Sequence, residues 1–200
     1  MDDEQRASED QKRERIFRAA EPLFERYGYR KTTVEDICKA AGVSKRTFYE
    51  LFQDKADVFT DLVVFIAETE MARWERSLSP SIEPKDELLS FMDLHATVHE
   101  KRPVLNLVFT EELHEVVAEM TEDIVRGPIY ERFRQIIERG KQSGQFRPMD
   151  TDAAVWMVGA VMNSMHSVVP AWAKPLGSCD HRRCAEEART FIINGLLAKT

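Results

Sequence analysis

From Ile16 onward the apolar residues of this 200-residue chain recur every three or four positions, almost to its end. That spacing is one face of an α-helix. Val, Ile and Thr nowhere alternate with polar residues over a useful length, so no strand is predicted. Apolar residues make up 43% of the chain, enough for a sizeable core and too many for a disordered polymer. The fold class that follows is all-α, with about nine helices.

The breaks between periodic runs set the predicted boundaries. Residues 1–9 read as a disordered, acidic tail. The first helix carries Ile16, Ala19, Ala20, Leu23, Phe24 and Tyr27 on one face and stops at Gly28. Pro22 lies inside it, and a proline there removes a hydrogen bond and clashes with the preceding turn, so a kink or restart is expected. Thr32 and Thr33 offer capping hydroxyls, and Asp36 follows Thr33 by three residues, in the manner of a capping box. Val34, Ile37, Cys38 and Ala41 then form the buried face of a second helix, ended by Ala41-Gly42-Val43. Ser44 caps a third helix through Phe52, and Asp54 caps a fourth to about Ser77. Beyond a proline-containing joint at 77–87, helical segments are predicted near 85–100, 103–119, 121–141, 151–169 and 181–198. The Pro- and Gly-containing stretch at 170–180 reads as a break.

Charge is unevenly distributed. The whole chain carries −7, yet residues 11–55 hold 11 basic against 7 acidic groups, while residues 1–10 and 56–200 are net acidic. An anionic partner is thereby suggested for the N-terminal part alone. The opening MDDEQRASED is the opposite of a secretory leader, and the longest apolar run, AAVWMVGAVM at 153–162, is about half a membrane span. A cytoplasmic protein is expected. Three cysteines, an odd number, argue against a disulfide framework.

Two short helices joined by a glycine turn form a helix-turn-helix pattern. In VSKRTFYELFQDK, Phe48, Leu51 and Phe52 suit a buried side, which leaves Ser44, Lys45, Arg46, Thr47 and Tyr49 pointing outward. Lys and Arg at the start of such a helix can donate to guanine O6 and N7 in the major groove, and hydroxyls can donate to phosphates.

The stretch IFRAAEPLFERYGYRKTTVEDICKAAGVSKRTFYELFQDKADVF resembles the N-terminal domain of the TetR family of transcriptional regulators. The AAxxLFxxxGY, TTVxDIxxxAGVS, TFYxxF and DKxxxF runs carry the resemblance. It implies a DNA-binding domain over 1–55 and a ligand-binding and dimerisation domain over 56–200. It also implies phosphate contacts for Thr33 and Tyr49, groove contacts for Ser44, Lys45, Arg46 and Thr47, and a backbone contact for Lys55. Three positions depart from the family's habit, one of them Pro22 in the first helix. Arg46 stands where glycine is frequent, which predicts an added guanine or phosphate contact. Leu51 stands where histidine is frequent, which removes a donor.

The resemblance further implies a homodimer on a palindromic operator and a pocket for a small, apolar or amphipathic effector, with repression the usual outcome. TDAAVWMVGAVMNSMHSVV is apolar almost all round, and Ala153, Trp156, Gly159 and Ala160, with Ala188, Phe191, Ile192 and Leu196 of the last helix, are the candidate dimer residues. Trp74, Phe91, Phe109, Phe133 and Met162 are candidate pocket walls, and His95, His114 and His166 candidate polar contacts. His95 and His99 share a helix face, and Cys179, His181 and Cys184 fall within six residues. Both groups are incomplete as metal sites, so no metal or cofactor is assigned, and a metal- or thiol-redox-sensing regulator is the alternative for the signal. No nucleophile–base pair, phosphate loop or complete metal site points to an enzyme. Non-specific DNA coating is the alternative of another class, and the acidic body argues against it.

Overall fold

The computed structural model describes residues 3–110, 113, 116, 127–176 and 181–198, with side chains at 3–6, 109, 128, 165–176, 181 and 182 left aside. The described residues form helices α1 (Asp3–Tyr27), α2 (Val34–Ala41), α3 (Lys45–Leu51), α4 (Lys55–Ser77) and α5 (Pro84–Lys101), a 3-10 helix (Pro103–Phe109), then α6 (Gly127–Gln142), α7 (Thr151–Leu176) and α8 (His181–Leu196). The all-α expectation holds.

Four features differ from expectation. The acidic N-terminus is helical from Asp3, so α1 absorbs most of the predicted tail. Its Arg18–Glu14 pair, one turn apart, gives local support further along. Pro22 neither ends nor restarts α1. Pro22 and Arg18, whose carbonyl loses its helical donor, are both on the exposed side, where water can serve that carbonyl. The buried side, with Ile16, Phe17, Ala20 and Phe24, is continuous across the proline. Likewise α7 runs through Pro170 and Pro175 to Leu176 instead of breaking at 170. The segment after Pro103 begins as a 3-10 helix rather than the α-helix predicted over 103–119.

The chain gathers into two compact units, Met1–Thr69 with Pro103–Met120, and Glu70–Arg102 with Thr121–Thr200. The division falls inside α4. In the first unit, α1 to α4 close around Phe24, Phe48 and Phe59, all fully buried. Phe24 meets Phe59 edge-on at 5.4 Å, and Phe17 meets Phe52 at 5.8 Å. Each such ring contributes about 1.5–3 kcal/mol by leaving water. That matters most for α3, whose seven residues are too few to be helical alone. The 3-10 helix joins this unit through buried Val104 and Leu105, and the Val104 N–H donates to Glu25 Oε1 at 3.3 Å.

In the second unit, Trp74, Leu88, Phe91, Phe133, Ile136, Ile137, Val155, Met162 and Ile192 build one core. Phe146 covers Gly140 so closely that a Cβ there would fall within the ring. An isolated antiparallel bridge pairs Phe146 with Leu197, tying the α6–α7 connection to the end of α8. The fully buried carboxylate of Glu87 is paired with Arg132 at 2.6 Å and with Arg139. The Arg132 guanidinium also lies over the Trp74 ring, 5.5 Å from its centre.

Candidate nucleic-acid interface

The interface is built from its caps outward. Thr33 caps α2: its Oγ1 accepts from the Asp36 N–H at 3.1 Å, and the Asp36 carboxylate accepts from the Thr33 N–H at 3.1 Å and hydroxyl at 2.6 Å. These bonds, the hydroxyl's first, hold the Asp36 carboxyl below its ordinary value. Gly42 ends α2 with φ +64°, the left-handed conformation that a side chain opposes. Ser44 then caps α3, accepting from the Thr47 N–H at 3.0 Å. Local chemistry thus sets both helix ends and the turn between them.

Long-range bonds hold that turn in place. Arg15 of α1 donates through Nη2 to the carbonyls of Ala41 at 2.7 Å and Gly42 at 3.1 Å. Arg13 donates to Asp61 at 2.7 Å and to the Leu51 carbonyl at 2.8 Å, with its guanidinium 4.7 Å from the centre of the Phe52 ring. One arginine therefore fastens the turn, and the other the end of α3. Neither was singled out from sequence, since carbonyl partners 26 and 38 residues away leave no local pattern.

Lys55 joins this framework. Its Nζ donates to the carbonyls of Tyr29 at 2.7 Å and Thr32 at 2.8 Å and lies 4.2 Å from the centre of the Tyr29 ring. In this structure it closes the α1–α2 loop instead of reaching outward for DNA backbone. Three of the cations behind the net positive charge of residues 11–55 are thus engaged in holding the unit together.

The outward face of α3 carries the rest. Phe48 is buried, while Ser44, Lys45, Arg46 and Tyr49 are exposed and Thr47 partly so. Tyr49 is 58% exposed, its ring edge-on to Phe48 at 5.3 Å. Lys45 Nζ donates to Glu35 of α2 at 2.8 Å, and Arg46 Nε donates to Glu50 one turn on at 2.9 Å. Hydrogen bonding and then charge lower the Glu35 carboxyl and raise the Lys45 ammonium. The result is a short, well-anchored helix whose exposed side presents an ammonium, a guanidinium and three hydroxyls, the donor set for base edges and phosphates.

The other candidates divide. Trp74, Phe91, Phe133 and Met162 converge in the second unit's core, with Phe91 edge-on to Trp74 at 5.2 Å and to Phe133 at 4.5 Å. Trp74 Nε1 donates to Ser90 at 2.9 Å. His95 is half-buried, its ring 4.6 Å from that of His99. Phe109 closes the 3-10 helix in the other unit and His166 lies in α7, but neither side chain is among those described; His114 and Cys179 lie outside the described residues. Among the described residues no three His, Cys, Asp or Glu side chains gather as a metal site. Cys184 is disulfide-bonded, whereas Cys38 is a buried free thiol. An odd cysteine count excludes a fully paired set but not a single bridge.

Of the dimer candidates, Ala153, Trp156 and Ala160 point outward from α7 and Phe191 from α8, with Phe191 71% exposed. Met157 joins them at helical spacing. Ala188 is half-buried. Ile192 and Leu196 belong to the chain's own core. Gly159 is buried, and a Cβ there would stand 2.9 Å from the Tyr130 hydroxyl. Its smallness admits Tyr130 of α6.

Comparison with known proteins agrees with this geometry. Residues 16–62 match the family described as bacterial regulatory proteins, tetR family, and residues 81–196 match the tetracyclin repressor-like C-terminal domain. The chain belongs to the TetR family, a family of DNA-binding transcriptional regulators and not of enzymes. It is 22% identical to the HTH-type transcriptional regulator YhgD of Bacillus subtilis, over 92% of this chain and 95% of the relative. It is 30% identical to the nucleoid occlusion factor SlmA of Aliivibrio fischeri, over 76% and 81%. The solved structure of the regulator FadR from Bacillus subtilis in complex with stearoyl-CoA shares its fold, with a TM-score of 0.71 and 20% identity over 90% of this chain and 97% of that one. Among the described residues no helix is long and apolar enough to cross a membrane.

Proposed function

We propose that this regulator is a cytoplasmic one-component repressor that binds a palindromic operator as a homodimer and is released by a small apolar or amphipathic effector. The observation that carries the reading is the outward face of α3, with Lys45, Arg46, Thr47 and Tyr49 displayed around a buried Phe48. Thr33, at the start of α2, adds a phosphate contact, and Ser44, at the start of α3, a groove contact. Lys55 acts through the loop it closes.

One seven-residue reader is weak alone, and a twofold pair on half-sites about one DNA turn apart supplies affinity. The apolar stripe Ala153, Trp156, Met157 and Ala160 of α7, with Phe191 of α8, is the proposed dimer surface. Sedimentation is expected to give a species near twice 23.1 kDa, and a micromolar monomer would reject the dimer. The stearoyl-CoA of the structurally similar FadR supports an apolar or amphipathic effector, which would have to part the packed core around Trp74, Phe91, Phe133 and Met162. An effector acts in proportion to its preference for one dimer geometry. The test is binding of the purified protein to DNA flanking its own gene, with excess random competitor. Competitor-resistant binding, weakened at least tenfold by Arg46→Ala with Tyr49→Phe, supports the reading; competitor-resistant binding indifferent to both changes would remove α3 as the reader.

The bridge at Cys184 favours a second reading of the signal, thiol redox instead of a ligand. It predicts that a reductant changes operator affinity in wild type and not in Cys184→Ser. Equal affinity with and without reductant excludes it.

A further inference from the structure

The two cations on the reading face are not presented bare. Lys45 Nζ is held by Glu35 at 2.8 Å and Arg46 Nε by Glu50 at 2.9 Å. Both pairs lie in solvent: the lysine and its partner are 59% and 74% exposed, the arginine and its partner 89% and 56%. Exposed pairs of this kind add little to folding. Their placement is nonetheless specific, because Glu35 comes from α2 and Glu50 from the next turn of α3, one carboxylate for each groove cation.

We infer that Glu35 and Glu50 set how selectively the recognition helix binds DNA, by pairing its two cations so that random phosphate gains little from them while an operator base edge still finds their donors. The inference rests on α3 being the DNA reader. A phosphate is an anion and responds to net charge, which each pair reduces to about zero. To use either cation fully it must displace a carboxylate or bind beside one. A guanine edge is neutral and responds to donor geometry instead. Lys45 keeps two further ammonium protons. Arg46 is gripped at Nε, one of its five N–H donors, and the four Nη protons remain for other acceptors. Glu50 is thus a positioning residue for Arg46 as well as a screen. Non-specific binding comes almost wholly from phosphate attraction, so weakening that term raises the ratio of operator to random binding.

The test uses the full-length protein and an operator recovered by selection with wild type from a random duplex library. Affinity for that operator and for a random duplex of equal length is measured over a series of salt concentrations. The variants are Glu35→Gln, Glu50→Gln and their double, with Glu75→Gln/Glu100→Gln, two exposed glutamates of the other unit, as a charge-matched control. For the double variant, random-DNA affinity is expected to rise about tenfold, with a salt dependence steeper by about 2 to 4 as freed cations meet phosphates. Operator affinity is expected to change less than threefold, so selectivity falls. The control should leave the ratio unchanged. If operator and random affinities rise together, or neither moves, or the control matches the double variant, the inference is overturned while α3 remains the reader. If wild type recovers no consensus from the library, the DNA-reading proposal itself fails.

Discussion

The carboxylate of Glu50 stands in solvent beside one arginine; that of Glu87 is fully buried between two. The pairs share a chemistry and differ in their alternative. When the Glu50–Arg46 pair opens, water takes over each partner at little cost to folding. When the Glu87 cluster is broken on its arginine side, a carboxylate is stranded in the interior. Exchangeable pairs therefore belong where a partner must be met, and permanent ones where helices must stay put.

Substitutions can break that contrast. The largest effect is expected from Arg132→Met with Arg139→Met, which leaves the fully buried Glu87 carboxylate without a cation. Urea titration should show a loss of about 3–5 kcal/mol. A loss below about 1 kcal/mol would place Glu87 with the exposed pairs. Gly140→Ala follows, since its methyl group must displace the Phe146 ring; a cost of about 1–3 kcal/mol is expected in the same titration. In the DNA-reading unit, Thr33→Ala removes the α2 cap, and about 1 kcal/mol should be lost at neutral pH.

That variant also sharpens the comparison through pH. The Asp36 carboxyl is lowered from its ordinary 3.8 by the Thr33 bonds, hydroxyl first. A lowered folded value gives stability that is present above the unfolded value and lost as pH falls through the folded one. Wild type should therefore lose part of its advantage over Thr33→Ala below about pH 4; melting curves that stay equally separated down to pH 2 would contradict this. The smallest effect on folding is expected from Glu35→Gln, no measurable shift in the urea titration, although the same change is expected to alter DNA selectivity.

Much of the first unit was legible because its punctuation is local. Thr33 with Asp36, Gly42 and Ser44 act within three or four residues of themselves, so spacing alone predicts the caps and the turn. The outward set on α3 followed from the burial of Phe48 and Phe52. Arg13, Arg15 and Lys55 were illegible for the converse reason, as their partners are distant carbonyls. The net positive charge of the segment suggested DNA, yet these three serve its framework. In the second unit, Glu87 reads in sequence as one more surface acid, and only the folded chain brings Arg132 and Arg139 to it. Gly159 is ambiguous in the same way, because a small residue does not say whether a partner helix or its own Tyr130 fills the space.

Apart from Ser44, which does both, the residues that grip the turn and those that face outward from it are separate sets. Arg13, Arg15, Phe48 and Phe52 secure α3 and the turn before it, and Lys45, Arg46 and Tyr49 stand on its exposed face. With α3 as the proposed reader, a descendant can rewrite its address on the chromosome by changing a few adjacent codons. The fold it inherits, and whatever signal it answers to, need not change with them.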